Sequence, residues 1–300
     1  MTKASNEGGT ITSKLLSALR GGQFVLYGQT IAAVRPERGE RPYREILIRF
    51  REEEQKMLPP GDFFPILEEQ GLIGLLDRWV VSEVLKLSAA SDRGRYRNSV
   101  NLSSDSIVDP EFAHFVSRMM KQHTAGQDVL SFEVTQSDAS ANLRHLRQMI
   151  TALKPAGCSF ALSGYTGTTA DVDLLGELSV GFLKIDGGLV RKLTVSKDVL
   201  ALVKSIIDRC RKMGVRTVAE LVEDPHTLAE LKKLGADYAQ GYGIAKPAPV
   251  IGEAYQTPGS LSGADAADLF FWERAVQPAT RRCASPAAPQ ARITGIMPDL

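Results

Sequence analysis

Charged residues interrupt the apolar runs of this chain at several points, and those points are where chemistry could be done. Glu133 breaks the run Leu130, Ser131, Phe132 and Val134, Glu220 closes Val218 and Ala219, and Lys184 falls between Leu183 and Ile185. Lys184 and Asp186 are two residues apart, so they share one face of a strand. Gln29, Glu45, Asn101 and Gln240 stand at comparable positions on other runs. Burying a charge is costly unless it is paired or metal-bound. Any one of these residues could simply reach solvent at a strand end. Together they predict a shared wet pocket, with carboxylates of the kind that ligate divalent cations or handle protons. One strand end departs from the pattern. The run 158–162 is followed by Ser163 and Gly164, which carry no charge.

The elements that must position these groups follow from periodicity. Strands are predicted over 23–27, 43–50, 99–102, 129–134, 158–162, 181–185, 215–219 and 238–239. Helices are predicted over 61–70, 75–90, 111–122, 142–153, 199–213 and 225–234. Asp109-Pro110 and Asp224-Pro225 suit helix starts, and Gly157, Gly214 and Gly235 suit helix ends. Eight strands with intervening helices predict an α/β fold, a TIM-type (β/α)8 barrel spanning 22–250. A doubly wound open sheet is the alternative, but no Gly-x-Gly-x-x-Gly follows the first strand. The first connection lacks a helix, since Arg35 to Glu40 reads as a polar turn, so strands 1 and 2 should form a hairpin. Residues 1–21 form an N-terminal extension with a short helix around 12–19. Residues 251–300 form a C-terminal extension with an amphipathic stretch containing Phe270, Phe271 and Trp272, then a disordered tail.

Composition narrows the class. The chain has 300 residues, and 36 Lys+Arg against 35 Asp+Glu give a net charge of +1. That balance argues against a nucleic-acid or membrane-surface binder. Cys158, Cys210 and Cys283 form no Cys-x-x-Cys pair and read as reduced thiols. Nothing in the first twenty residues suits a signal peptide, and no apolar run suits a membrane span, so a cytoplasmic location without membrane insertion is expected.

Several motifs in unbroken order then resemble one family. Glu45-Ile46-Leu47-Ile48-Arg49-Phe50 resembles the Glu-Ala-Leu-Leu-Arg-Trp signature of EAL domains, the cyclic di-GMP phosphodiesterase family. The resemblance continues through Pro60 to Glu69, Asn101-Leu102-Ser103, Phe132-Glu133-Val134-Thr135 and Lys184-Ile185-Asp186. It ends with Val218 to Glu223 and Gln240-Gly241-Tyr242. The fold it implies is a modified TIM barrel whose first strand is antiparallel to the rest. In active members the residues matching Glu45, Asn101 and Glu133 ligate divalent metal, and two aspartates after strand 5 bridge the metal pair. Those matching Lys184 and Glu220 help hold the attacking water. Here the aspartates are Ser163 and Gly164, the glutamate bracing that loop is Gln136, and the glycine after Glu220 is Leu221.

Two dications roughly 3.5–4 Å apart need bridging carboxylates to offset their repulsion. Without the pair, nothing lowers the pKa of the water from about 15.7 toward 7. The expectation is therefore no required cofactor, weak or absent magnesium or manganese binding, and remnants rather than working catalytic residues. Ligand binding is a separate matter. By resemblance, Gln29, Leu47 and Arg49 touch phosphates and a base, Arg49 as a planar fork. Pro60, Asp77 and Asn101 would line ribose and guanine walls, with Glu45, Glu220 and Gln240 completing the lining. Asp77 could instead be a helix-surface charge beside Arg78. Three readings stand: a receptor for cyclic di-GMP that signals through a protein partner, a nucleotide-independent interaction module, and a weak phosphodiesterase. The strand 5 loop contributes to dimerisation in active relatives, so its divergence leaves a homodimer open.

Overall fold

Short apolar runs and amphipathic helices alternate along this chain until an eight-stranded barrel closes. The computed structural model describes residues 22–37, 39–51, 57–58, 60–92 and 94–250, with 17 and 18. The extension 251–300 with Phe270, Phe271 and Trp272, nearly all of 1–21, and the side chain of Pro60 lie outside the described residues.

The strands are β1 (Phe24–Ala33), β2 (Tyr43–Arg51), β3 (Met57–Leu58), β4 (Arg97–Asn101), β5 (Leu130–Thr135), β6 (Ser159–Tyr165), β7 (Phe182–Ile185), β8 (Arg216–Ala219), β9 (Tyr238–Ala239) and β10 (Ala248–Pro249). The barrel runs β1-β2-β4-β5-β6-β7-β8-β9 and closes through β9 onto β1, with β3 and β10 as short additions. From β2 to β9 the barrel neighbours are parallel. β1 is antiparallel to both β2 and β9. The expected hairpin is present, with Gln29 opposite Glu45 and Ile31 opposite Tyr43.

Hairpin pairing carries β1 on to Ala33, beyond its expected end at 27. Gln29 therefore sits inside β1 rather than past its end, and Glu45 sits within β2. Glu133 and Lys184 also lie within β5 and β7. The helix expected over 142–153 is Leu143–Leu153, and an additional helix, Gln136–Ala141, precedes it and meets it at Asn142. Three short helices were not legible as periodicity: Ser104–Val108, Thr169–Glu177 and Gly187–Arg191. Two of these are set by caps. Ser103 accepts from Ser106 N, and Asp186 accepts from Gly188 N and Leu189 N. The turn signals hold where they were strongest. Asp109 and Asp224 cap helices whose first residue is proline, and Gly214 ends Lys197–Met213 with a left-handed φ of 71°. No helix among the described residues is long and apolar enough to cross a membrane.

Side chains alternate along each strand, so each barrel strand gives one face to the helices and one to the interior. The outward face packs Phe24, Leu26, Phe132, Phe160 and Leu183 against Leu67, Leu76, Trp79, Phe112 and Ile206. The inward face has a floor of Ile31, Tyr43, Ala161, Phe182, Val218 and Tyr238. The Phe182 ring lies 5.1 Å from that of Tyr43 and 6.0 Å from that of Tyr238. The guanidinium carbons of Arg97 and Arg216 approach the same ring at 4.8 and 4.6 Å. This floor plugs the barrel beneath the polar groups.

Candidate functional site

Each floor residue is followed, two positions nearer the barrel mouth, by a polar one. Tyr43 leads to Glu45, Phe182 to Lys184, Val218 to Glu220 and Tyr238 to Gln240, while antiparallel β1 steps back from Ile31 to Gln29. Arg97, Ser99 and Asn101 make the same climb on β4, and Ser131 and Glu133 on β5. On five strands the period of two thus leads from an apolar floor residue to a polar ring residue.

Lys184 is at the centre of that layer and is 1 % exposed. Its Nζ lies 3.0 Å from Glu45 Oε2, 2.8 Å from Glu133 Oε1 and 3.0 Å from Glu220 Oε1. Around this ammonium the amides complete a network. Asn101 Nδ2 donates to Glu45 Oε1 at 2.9 Å, and Gln240 Nε2 donates to Glu45 Oε2 at 2.7 Å and to Gln29 Oε1 at 3.0 Å. Gln29 Nε2 in turn donates to Ala245 O at 3.0 Å. Seven expected residues, Gln29, Glu45, Asn101, Glu133, Lys184, Glu220 and Gln240, are therefore joined in one unbroken chain of contacts.

The electrostatics follow from the geometry. Burial alone would lower the lysine's pKa, but three carboxylates hold it well above the ordinary value. Burial likewise opposes ionisation of Glu45, yet Lys184, Gln240 and Asn101 keep that carboxyl below its usual range. Glu133 is the acid that yields. Burial first, then the charge of Glu45, pushes it up to about 7 despite Lys184. Within the seven-residue network one polar atom is left over, since Gln240 Oε1 is buried without a hydrogen-bond partner.

Above the ring, β2 continues inward through Leu47 to Arg49 near the mouth, both half-buried. Arg49 donates Nη1 to Ile48 O at 2.8 Å and lies 5.5 Å from the Tyr27 ring. No acceptor for its remaining N–H groups is present among the described residues.

Other expected site residues lie outside this network. Asp77 is not on the helix surface. It is 7 % exposed, and its Oδ2 accepts from Ser103 N at 3.0 Å, Ser103 Oγ at 2.6 Å and Ser106 Oγ at 2.7 Å. Burial raises its pKa in spite of these donors. Asp77 thus braces the turn that follows Asn101. Asp186 shares the parity of Lys184 but lies past the end of β7, where it caps Gly187–Arg191. At β6 the strand continues through Ser163 and Gly164 to Tyr165, with a register shift between Leu162 and Tyr165 and a φ of 69° at Gly164. Ser163 Oγ is turned to Val134 O at 3.4 Å. Among the described residues, no acid reaches the ring from this strand end.

Two contributors were not anticipated. Ser99 Oγ donates to Glu133 Oε2 at 3.3 Å, and Tyr43 OH lies 3.5 Å from Ser99 Oγ. Counting back by two from Asn101 and Glu45 would have found both.

The family described as EAL domain matches residues 12–247. The chain is 32 % identical over 239 residues to the cyclic di-GMP phosphodiesterase PdeB of Shewanella oneidensis, covering 79 % of this chain and 28 % of that protein. It is 31 % identical over 242 residues to the cyclic di-GMP phosphodiesterase PdeF of Escherichia coli, covering 80 % of this chain and 32 % of that protein. The chain therefore spans about a third of the length of these curated relatives. Among solved structures, it superposes with a TM-score of 0.75 on the FimX EAL domain from Pseudomonas aeruginosa bound to c-di-GMP. That match is 27 % identical and covers 80 % of this chain and 97 % of the other. This chain belongs to the EAL domain family.

Proposed function

We propose that this protein is a catalytically degenerate EAL domain that binds cyclic di-GMP as a receptor and passes the signal to a protein partner. One observation carries the reading: the three carboxylates of the ring converge on the Lys184 ammonium, and the β6 end adds only Ser163 and Gly164. A pair of divalent cations needs acids that bridge them. Here the acids present are satisfied internally, and neither a serine hydroxyl nor a glycine can bridge. The donor set does not fit a metal pair, so no hydrolytic step is assigned to these residues.

Binding does not need that pair. The free edge of Arg49 offers parallel N–H groups to a phosphate, and the unpartnered Gln240 Oε1 offers an acceptor to a donor on the ligand. The FimX EAL domain, of similar fold and 27 % identity, was solved with c-di-GMP bound. A cytoplasmic location suits a receptor of this kind. The competing reading, a nucleotide-independent interaction module, draws on the apolar residues exposed beside the ring, Leu221 at 44 % and Tyr242 at 63 %.

Titration calorimetry with cyclic di-GMP separates the readings. The receptor should bind with the same affinity in EDTA and in excess manganese, and the Arg49→Ala variant should bind about tenfold to a hundredfold more weakly. Chromatography of the manganese sample should show intact nucleotide. No binding heat at high nucleotide concentration would favour the interaction module, and rapid conversion to the linear dinucleotide would restore the enzyme.

A further inference from the structure

Among the described residues, three other than glycine have a positive φ: Thr124, Asp128 and Leu221. Only Leu221 adjoins the ring, as the residue directly after Glu220. Its φ of 53° is one that side-chain-bearing residues disfavour. The Leu221 side chain lies on Gly187. A Cβ built on Gly187 would fall 2.5 Å from Leu221 Cγ and 2.9 Å from Leu221 Cβ, distances that no adjustment of a flexible tip relieves. Gly187 itself has no positive φ, so its backbone does not require glycine. The space occupied by Leu221 does.

Leu221 therefore fastens the loop after β8 to the first residue of the helix Gly187–Arg191, which follows β7. The backbone is held on both sides of it. Glu220 N donates to Ile185 O at 3.3 Å, Val222 N donates to Gln240 O at 2.9 Å, and Gly243 N donates to Val222 O at 2.9 Å. This fastening falls beside the ring acid with the greatest freedom. The Glu220 side chain is 25 % exposed, against 11 % for Glu45 and 5 % for Glu133.

We infer that Leu221 is a positioning residue: seated on Gly187, it holds Glu220 against Lys184 and keeps that carboxylate from swinging into the barrel mouth. The consequence deepens the ligand-site reading and rests on it, because a carboxylate released into the mouth would repel an anionic nucleotide. The positioning itself does not depend on that reading.

Three variants test it: Leu221→Gly, Gly187→Ala, and the two combined. The Leu221→Gly variant keeps a residue at ease with positive φ and should fold. Its Glu220 carboxyl carbon resonance should move toward that of a solvated glutamate, while those of Glu45 and Glu133 stay in place. Gly187→Ala alone should lower the melting temperature and move the same resonance, and the combined variant should recover the melting temperature because the collision is gone. Cyclic di-GMP affinity should fall about three- to fivefold in Leu221→Gly. An unmoved Glu220 resonance in Leu221→Gly, or an equal melting loss from Gly187→Ala in both backgrounds, would overturn the inference. If the parent protein binds no nucleotide, the receptor reading fails, and the resonance and melting measurements still decide the positioning.

Discussion

The interior of this barrel holds two layers, one step of two residues apart on each strand, with opposite chemistry. In the lower layer, cations lie over rings: Arg97 and Arg216 flank Phe182, and Arg97 Nη2 is paired with Asp128 at 2.8 Å. In the upper layer, one cation is surrounded by acids: Lys184 meets Glu45, Glu133 and Glu220. The lower arrangement spreads guanidinium charge over aromatic faces and fills the barrel. The upper one gathers more negative than positive charge in a buried place, and its cost shows in the raised Glu133. A fold can carry such a layer because the layer beneath is closed and stable. The contrast teaches that the polar ring is held at a cost, which is the mark of a site rather than of a scaffold.

The largest test of this contrast is Lys184→Met, which removes the one charge that three buried acids share. Breaking a buried pair on one side costs about 3–5 kcal/mol, so the denaturant midpoint should fall steeply, with part of the loss regained at low pH as the acids protonate. A change below about 1 kcal/mol would mean the ring is not electrostatically closed. In the floor, Phe182→Ala should cost about 3 kcal/mol through the cavity it leaves, yet leave cyclic di-GMP affinity unchanged in calorimetry. Equal losses of binding from both variants would erase the distinction between layers.

Restoring acids should sharpen it. Gly164 has open space around its Cβ position at φ 69°, a conformation aspartate tolerates better than most residues. The double variant Ser163→Asp/Gly164→Asp should gain a manganese-dependent stabilisation of about 1–3 kcal/mol in thermal melts, where the parent shows none.

The smallest effect is a slope. Glu133 titrates near 7 when folded, against an ordinary 4.5. The native state therefore holds a proton that the unfolded state has released across that window. Stability should decline as pH rises from about 4.5 to 7 and level off above it. Glu133→Gln should flatten this decline in urea titrations at several pH values, and an unchanged slope would assign it to another group.

Much of this was legible in the chain because barrel strands obey a period of two. Glu133, Lys184 and Glu220 stood out as charges inside apolar runs, and the polar turn from Arg35 to Glu40 announced the hairpin. What periodicity could not show was depth. Gln29 looked like a strand end because pairing partners, not local composition, decide how far β1 extends. The partners of Asp77 and Asp186 were hidden for a related reason. Each aspartate finds backbone or hydroxyl donors at a turn, and a turn is fixed by what packs around it.

The sequence by itself determined the eight-strand order, the acids that would share a pocket, and the absence of acid at Ser163 and Gly164, since these are matters of residue type and spacing. Only the tertiary structure decided that Lys184 is the hub for Glu45, Glu133 and Glu220, and that Leu221 lies on Gly187. Partners so far apart in the chain meet only when the barrel closes, and the energies that select among them depend on distances that spacing does not encode.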